Sequence, residues 1–159
     1  MRWLLAICCF TFATLSHATA APMLDDSFID KVLVVKSERQ LHLISRGVTM
    51  KSYRVSLGKQ PGPKEREGDK RTPEGIYWID WRKTSDKYNL AMHISYPNAK
   101  DRESARKRGV NPGGDIMIHG QTNGWGWAFF VMQWFPWTDG CVALSNRDMD
   151  RVWEAVDPG

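Results

Sequence analysis

Cys141 and His119 are the two residues of this chain whose types suit covalent chemistry. Cys141 lies in "WTDGCVALSN" at 137–146 and is the only cysteine beyond the first nine residues. A thiolate is a strong nucleophile, and a neighbouring imidazole can hold it as an ion pair and later protonate a leaving amine. His119, at the end of "GGDIMIHG", is the candidate base. Gly140, just before the cysteine, permits a tight backbone turn, so that main-chain N–H groups can converge where an oxyanion would form. This set predicts a reactive, low-pKa Cys141 held by His119. Each feature also has a plainer reading: a lone cysteine is often a small buried hydrophobe, and a histidine at a strand end is often a hydrogen-bonded structural residue.

The elements that must position these residues are mostly strands. "KVLVVK" (31–36), "QLHLIS" (40–45) and a segment from Val48 to Leu57 alternate as β-strands, with turns at Ser37–Arg39 and Arg46-Gly47. "GIYWIDW" (75–81) and "LAMHISYP" (90–97) read as two more, and "GGDIMIHG" as an apolar strand delivering His119. "KDRESARKRG" predicts a short basic helix stopped by Gly109. Ser145 followed by Asp148 predicts a helix N-cap with an acidic third position, opening a helix through Met149, Val152, Trp153 and Val156.

The first twenty residues stand apart. A basic start at Arg2, an apolar run from Trp3 to Leu15 and the small residues Ala18-Thr19-Ala20 predict a secretory signal peptide over 1–20, cut after Ala20. The run is shorter than the roughly 20 residues of a membrane span. Ile7 before Cys8 argues against a lipidated cysteine. Removing 1–20 leaves 139 residues, one domain's worth, and lowers the net charge from +4 to +3 because Arg2 is the only charge lost. Small exported domains usually pair their cysteines; this one keeps a single thiol. A mildly basic surface suits an anionic polymer without identifying one.

Other chemistries fit poorly. Asp115, His119 and Cys141 lack the short ligand spacings typical of zinc, so no metal is expected. Basic residues interleaved with acids, on an exported chain, argue against nucleic acid. The charged run from Lys64 to Arg71 reads as a solvated face, as does the basic helix. "NGWGWAFFVMQWFPW" holds four of the eight tryptophans. It reads either as packing under the site or as an aromatic wall for glycan or peptide, with Trp125, Trp127 and Trp137 expected to be exposed and Trp134 in the core. His93 is expected to be structural.

"IHG" at 118–120 followed by "TDGCVALSN" at 138–146 resembles the catalytic signature of the L,D-transpeptidase (YkuD-like) family of bacterial cell-wall enzymes. "VSLGK" at 55–59 and "RTPEGIY" at 71–77 resemble further family motifs, so the likeness runs from about Lys31 to Trp153. The resemblance implies a mainly β fold with short helices (α+β) as a single catalytic domain, here 31–156, without metal or organic cofactor. It implies Cys141 as acyl-forming nucleophile and His119 as base and acid, oriented by the Gly120 carbonyl. The amides of Gly140 and Cys141 would be the oxyanion donors, and Asn146 would be structural. Thr138, Asp139 and the tryptophans 125, 127 and 137 are the candidate substrate contacts. Three departures stand out: a slightly long spacer, Asp139 where many members carry histidine, and Ala143 where most carry arginine. The "TDGC" form resembles a Gram-negative subgroup that includes a hydrolase releasing a lipoprotein from peptidoglycan. The reading is therefore an enzyme of the periplasm of a Gram-negative bacterium, acting at diaminopimelate in peptidoglycan stem peptides as hydrolase or transpeptidase, with peptidoglycan-linked lipoprotein as a further partner. The alternative is a wall-binding module without turnover.

Overall fold

A computed structural model describes residues 28–124 and 129–159. Residues 1–20, expected to be a signal peptide, and Trp125 and Trp127 lie outside the described residues. Strands β1 (Lys31–Val35), β2 (Gln40–Ser45) and β3 (Val48–Arg54) form an antiparallel meander. The β2–β3 hairpin turns on Arg46-Gly47, both at positive φ (49° and 81°), which matches the twist that two-residue hairpins need. A second sheet has the order β4 (Ile79–Ser85), β5 (Asn89–Ile94), β6 (Met117–His119) and β7 (Val142–Ala143), with β6 and β7 parallel.

The sheets are stitched together where β3 ends. Val48 to Leu57 was expected to be one strand, but ladder pairing with β2 stops at Arg54. The chain then crosses to the second sheet: the Ser56 amide donates to the Ala143 carbonyl and the Ala143 amide to the Ser56 carbonyl, both at 2.8 Å. Leu41, Leu43, Val55, Met92, Ile118, Val142 and Leu144 build the core between the sheets and helix α3 (Asn146–Ala155). Met149 and Val152 on α3 are fully buried, each worth roughly 2 kcal/mol of apolar transfer.

Helix α1 (Ala99–Arg108) ends at Gly109 as predicted, in the left-handed conformation, and begins one residue before the predicted run, behind a capping box of Asn98 and Asp101. A four-residue helix α2 (Phe129–Met132) lies in the aromatic segment. Three predicted strands are shifted or trimmed; "LAMHISYP" pairs only as far as Ile94. "GIYWIDW" pairs only from Ile79, because Ile76 and Trp78 project into solvent, 90% and 70% exposed. "GGDIMIHG" pairs only over its last apolar residues, Asp115 adopting φ +54° before them.

Candidate active site

The parallel pair β6–β7 carries His119 at the end of one strand and has Cys141 just before the start of the other. Ile118 lies opposite Val142, and His119 opposite Ala143. Met92, Ile118 and Val142 point into the core, so His119 and Ala143 point the other way, since side chains alternate along strands. Cys141, two residues before Ala143, falls on the His119 side. Cys141 immediately precedes β7, the strand paired with the one that ends at His119.

His119 is 1% exposed. Its Nδ1 lies 2.5 Å from the Gly120 carbonyl oxygen. A carbonyl only accepts, so Nδ1 carries the hydrogen and Nε2 keeps its lone pair. Tyr88 stacks on the ring at 4.0 Å between centroids, and Trp137 meets it edge-on at 5.9 Å. Burial lowers the imidazole pKa to about 4; the Gly120 carbonyl opposes this and the Lys87 ammonium adds to it.

Cys141 is a free, partly exposed residue whose Sγ donates to the Asp115 carbonyl at 3.8 Å. Burial pushes its pKa up, a backbone hydrogen bond from Met117 opposes, and the Asp139 carboxylate adds to the rise. These directions run against the expected thiolate–imidazolium pair. Both shifts disfavour the charged form of each group, since burial leaves neither charge well solvated there.

The nucleophile loop is fastened by Thr138. Its hydroxyl donates to the Cys141 carbonyl at 2.7 Å and accepts from the Gly140 amide at 3.2 Å. Gly140 sits at φ +135°, and a Cβ there would meet the Arg71 carbonyl at 2.8 Å. A Cβ on Gly120 would lie 2.7 Å from Asn146 Oδ1, the atom that accepts from the Gln121 amide at 2.8 Å. Asn146 begins α3 behind the Ser145 N-cap, so the helix start and the histidine segment are joined through this one carboxamide.

The expected substrate contacts are placed unevenly. Thr138 is buried, with its hydroxyl engaged by the loop. Asp139 is exposed and pairs with Lys59 at 3.0 Å. Trp137 is half-buried at the wall of the imidazole. Trp134, expected in the core, is instead 60% exposed beneath the Arg54 guanidinium, 4.2 Å from the ring centroid. His93 shares the His119 face but binds Asp80 at 2.6 Å and stacks on Trp81. It lies two strands from β7, roughly 10 Å away, outside proton-transfer reach. Sequence reasoning missed Tyr88, Gln121 and the Asp115 carbonyl. Gln121 is fully buried, and neither atom of its carboxamide finds a hydrogen-bond partner. Among the described residues, no three His, Cys, Asp or Glu side chains gather as metal ligands.

Comparison with known proteins gives consistent matches. The family model for the L,D-transpeptidase catalytic domain matches residues 29–159. "Putative L,D-transpeptidase YafK" of Escherichia coli (strain K12) is 31% identical over a region covering 79% of this chain and 46% of that protein. The helical cell shape determining protein Pgp2 from Campylobacter jejuni superposes with a TM-score of 0.58 at 25% identity, covering 80% of this chain and 44% of that one. Bd1075 from Bdellovibrio bacteriovorus shares the fold at a TM-score of 0.57 and 24% identity, covering 84% and 48%. The chain thus spans about half the length of these relatives.

Proposed function

This chain belongs to the L,D-transpeptidase catalytic-domain family, and we propose that it is an exported cysteine acyl-enzyme acting on peptidoglycan stem peptides. The observation that carries the reading is the tautomer of His119. Its Nδ1–H is held by the Gly120 carbonyl, which leaves the Nε2 lone pair as the base on the face where Cys141 lies.

The reaction begins from neutral partners. As Sγ attacks the carbonyl carbon of the substrate, its proton passes to Nε2, so charge separates only along the reaction path. The amides of Cys141 and Gly140 receive the oxyanion; the Gly140 amide must then exchange its 3.2 Å bond to the Thr138 hydroxyl for the substrate oxygen. Collapse expels an amine, protonated from Nε2–H, and leaves a thioester on Cys141. His119 next deprotonates water or a second amine, which displaces the sulfur. Both steps share one base, held in a single tautomer.

The reading favours water as acceptor. An acceptor amine must outcompete water at roughly tens of molar, which requires an ordered second site. Ala143 is buried and lacks the guanidinium found in most of the family, and Asp139 adds an exposed acid at the loop. Release of a D-alanine, or of a protein attached through an amine, from the diaminopimelate carbonyl in the periplasm is the activity proposed. Incubating the chain with protein-linked sacculi and with tetrapeptide muropeptides, followed by mass spectrometry, tests it. Released protein free of muropeptide, or tripeptide product, supports hydrolysis; 3-3 dimers as main product reject it in favour of transpeptidation. Cys141→Ala should bind sacculi yet form no product. A wild type that only binds would indicate a wall-binding module.

A further inference from the structure

The charged run at 64–71 is mostly exposed, as its composition predicts, but two of its residues turn inward. Lys64 and Asp69 form an ion pair at 2.9 Å with side chains only 3% and 6% exposed. Asp69 also accepts from the amides of Glu65, Arg66 and Arg71 at 2.7, 3.0 and 3.1 Å. Burial works to raise its pKa, but these donors and the Lys64 ammonium outweigh it and hold the carboxyl at about 2. Lys36 fastens the far side of the same loop through the Gly62 and Thr72 carbonyls at 2.7 and 2.8 Å. Burying an ion pair is a poor way to stabilise a loop that only needs to be soluble; here it imposes one shape.

That shape encloses a groove of about 720 Å³ lined by Gln60, Arg66, Lys70, Arg71 and Arg108, among others. Lys70 is presented from the left-handed region, φ +58°, a conformation uncommon for a residue with a Cβ. Asp69 is neutralised by Lys64, so Glu65 is the remaining acid of the lining, 3.6 Å from Arg71. Arg108 is aimed by bonds to Ser104 and to the Glu65 carbonyl. Arg66 and Lys70 are exposed and enter no ion pair among the described residues. The groove adjoins the nucleophile loop, because the Arg71 carbonyl packs directly on Gly140.

We infer that this groove is a subsite for a carboxylate of the peptide substrate, held by Arg66 and Lys70 with Arg71 and Arg108 behind them. The inference rests on the proposed action on stem peptides. A carboxylate fits better than a phosphate for a physical reason. The C-terminus of α1 ends in the lining at Arg108, and its partial negative charge, with Glu65, disfavours a compact dianion. A planar monoanion instead suits a guanidinium fork and an ammonium.

The test uses the full chain, the R66Q/K70Q double variant and tetrapeptide muropeptides with carboxylates either free or amidated. Both substitutions are at exposed positions, so the melting temperature should be unchanged. In the Cys141→Ala background, the double variant should bind the free-carboxylate ligand about tenfold or more weakly, the loss of at least one charge-assisted contact. It should bind the amidated ligand as before. With Cys141 present, KM should rise by a similar factor while kcat stays unchanged. Equal binding of free and amidated ligands by the parent, or no loss in the double variant, overturns the subsite. So does displacement by millimolar inorganic phosphate but not by acetate, which would make it a phosphate site. Amidation-sensitive binding without turnover of any muropeptide would reject the proposed reaction and leave the subsite standing. Normal turnover with an unchanged KM in the double variant would do the reverse.

Discussion

Lowering the pH through the histidine range perturbs His119, the buried base of the proposed mechanism. An unfolded histidine titrates at 6.5, whereas burial holds His119 at about 4. Between these values the unfolded chain binds a proton that the folded chain refuses, so stability is fully present above pH 6.5 and declines as pH falls to about 4. Below that both states are protonated and this loss stops growing. The gap between 6.5 and about 4 corresponds to roughly 3 kcal/mol, a large share of the 5–15 kcal/mol typical of a domain. Urea unfolding between pH 4 and 7 should show this decline, and His119→Gln should remove its share. In NMR titration the His119 Cε1–H should move near pH 4. The acid limb of kcat/KM should follow it there, so activity at pH 5.5 stays close to that at pH 7. Iodoacetamide should label Cys141 slowly at pH 7 because the thiol is protonated at rest, and more readily only well above neutrality. A His119 midpoint at or above 6.5, or rapid labelling at neutral pH lost in His119→Ala, would refute the neutral pair and restore the ion pair.

Gly140→Ala must place a methyl 2.8 Å from the Arg71 carbonyl at φ +135°; we expect a loss of about 2 kcal/mol or more in thermal stability and near-complete loss of turnover, read by melting and product analysis. Thr138→Val removes the hydroxyl between the Gly140 amide and the Cys141 carbonyl and should cost about 1–2 kcal/mol with a fall in kcat larger than any change in KM, while Thr138→Ser should restore most of both.

Much of the local framework was legible because it is written in short-range chemistry. Gly109 ends α1, and Ser145 with Asp148 opens α3, since caps are decided within four residues. Arg46-Gly47 turned the hairpin as expected. Cys141, Gly140 and His119 stood out by type and neighbours alone. The third strand was misjudged at its end because Val55 to Leu57 remains extended while changing partners, and extension looks the same whichever sheet receives it. Trp134 was misplaced because hydrophobicity does not say whether a cation such as Arg54 will cover an indole at the surface.

The sequence by itself determined which residues are candidates for chemistry and where most helices and turns begin, because those depend on residue type and on neighbours a few positions away. The tertiary structure decided the state in which those atoms wait. Protonation of His119 and Cys141 depends on how much water and charge surround them, and that is set by Tyr88, Trp137, Lys87 and Asp115, drawn from segments up to dozens of residues apart. It also decided that Lys64 and Asp69 turn inward, because a carboxylate is worth burying only where three amides and an ammonium converge on it, and no run of letters shows that convergence.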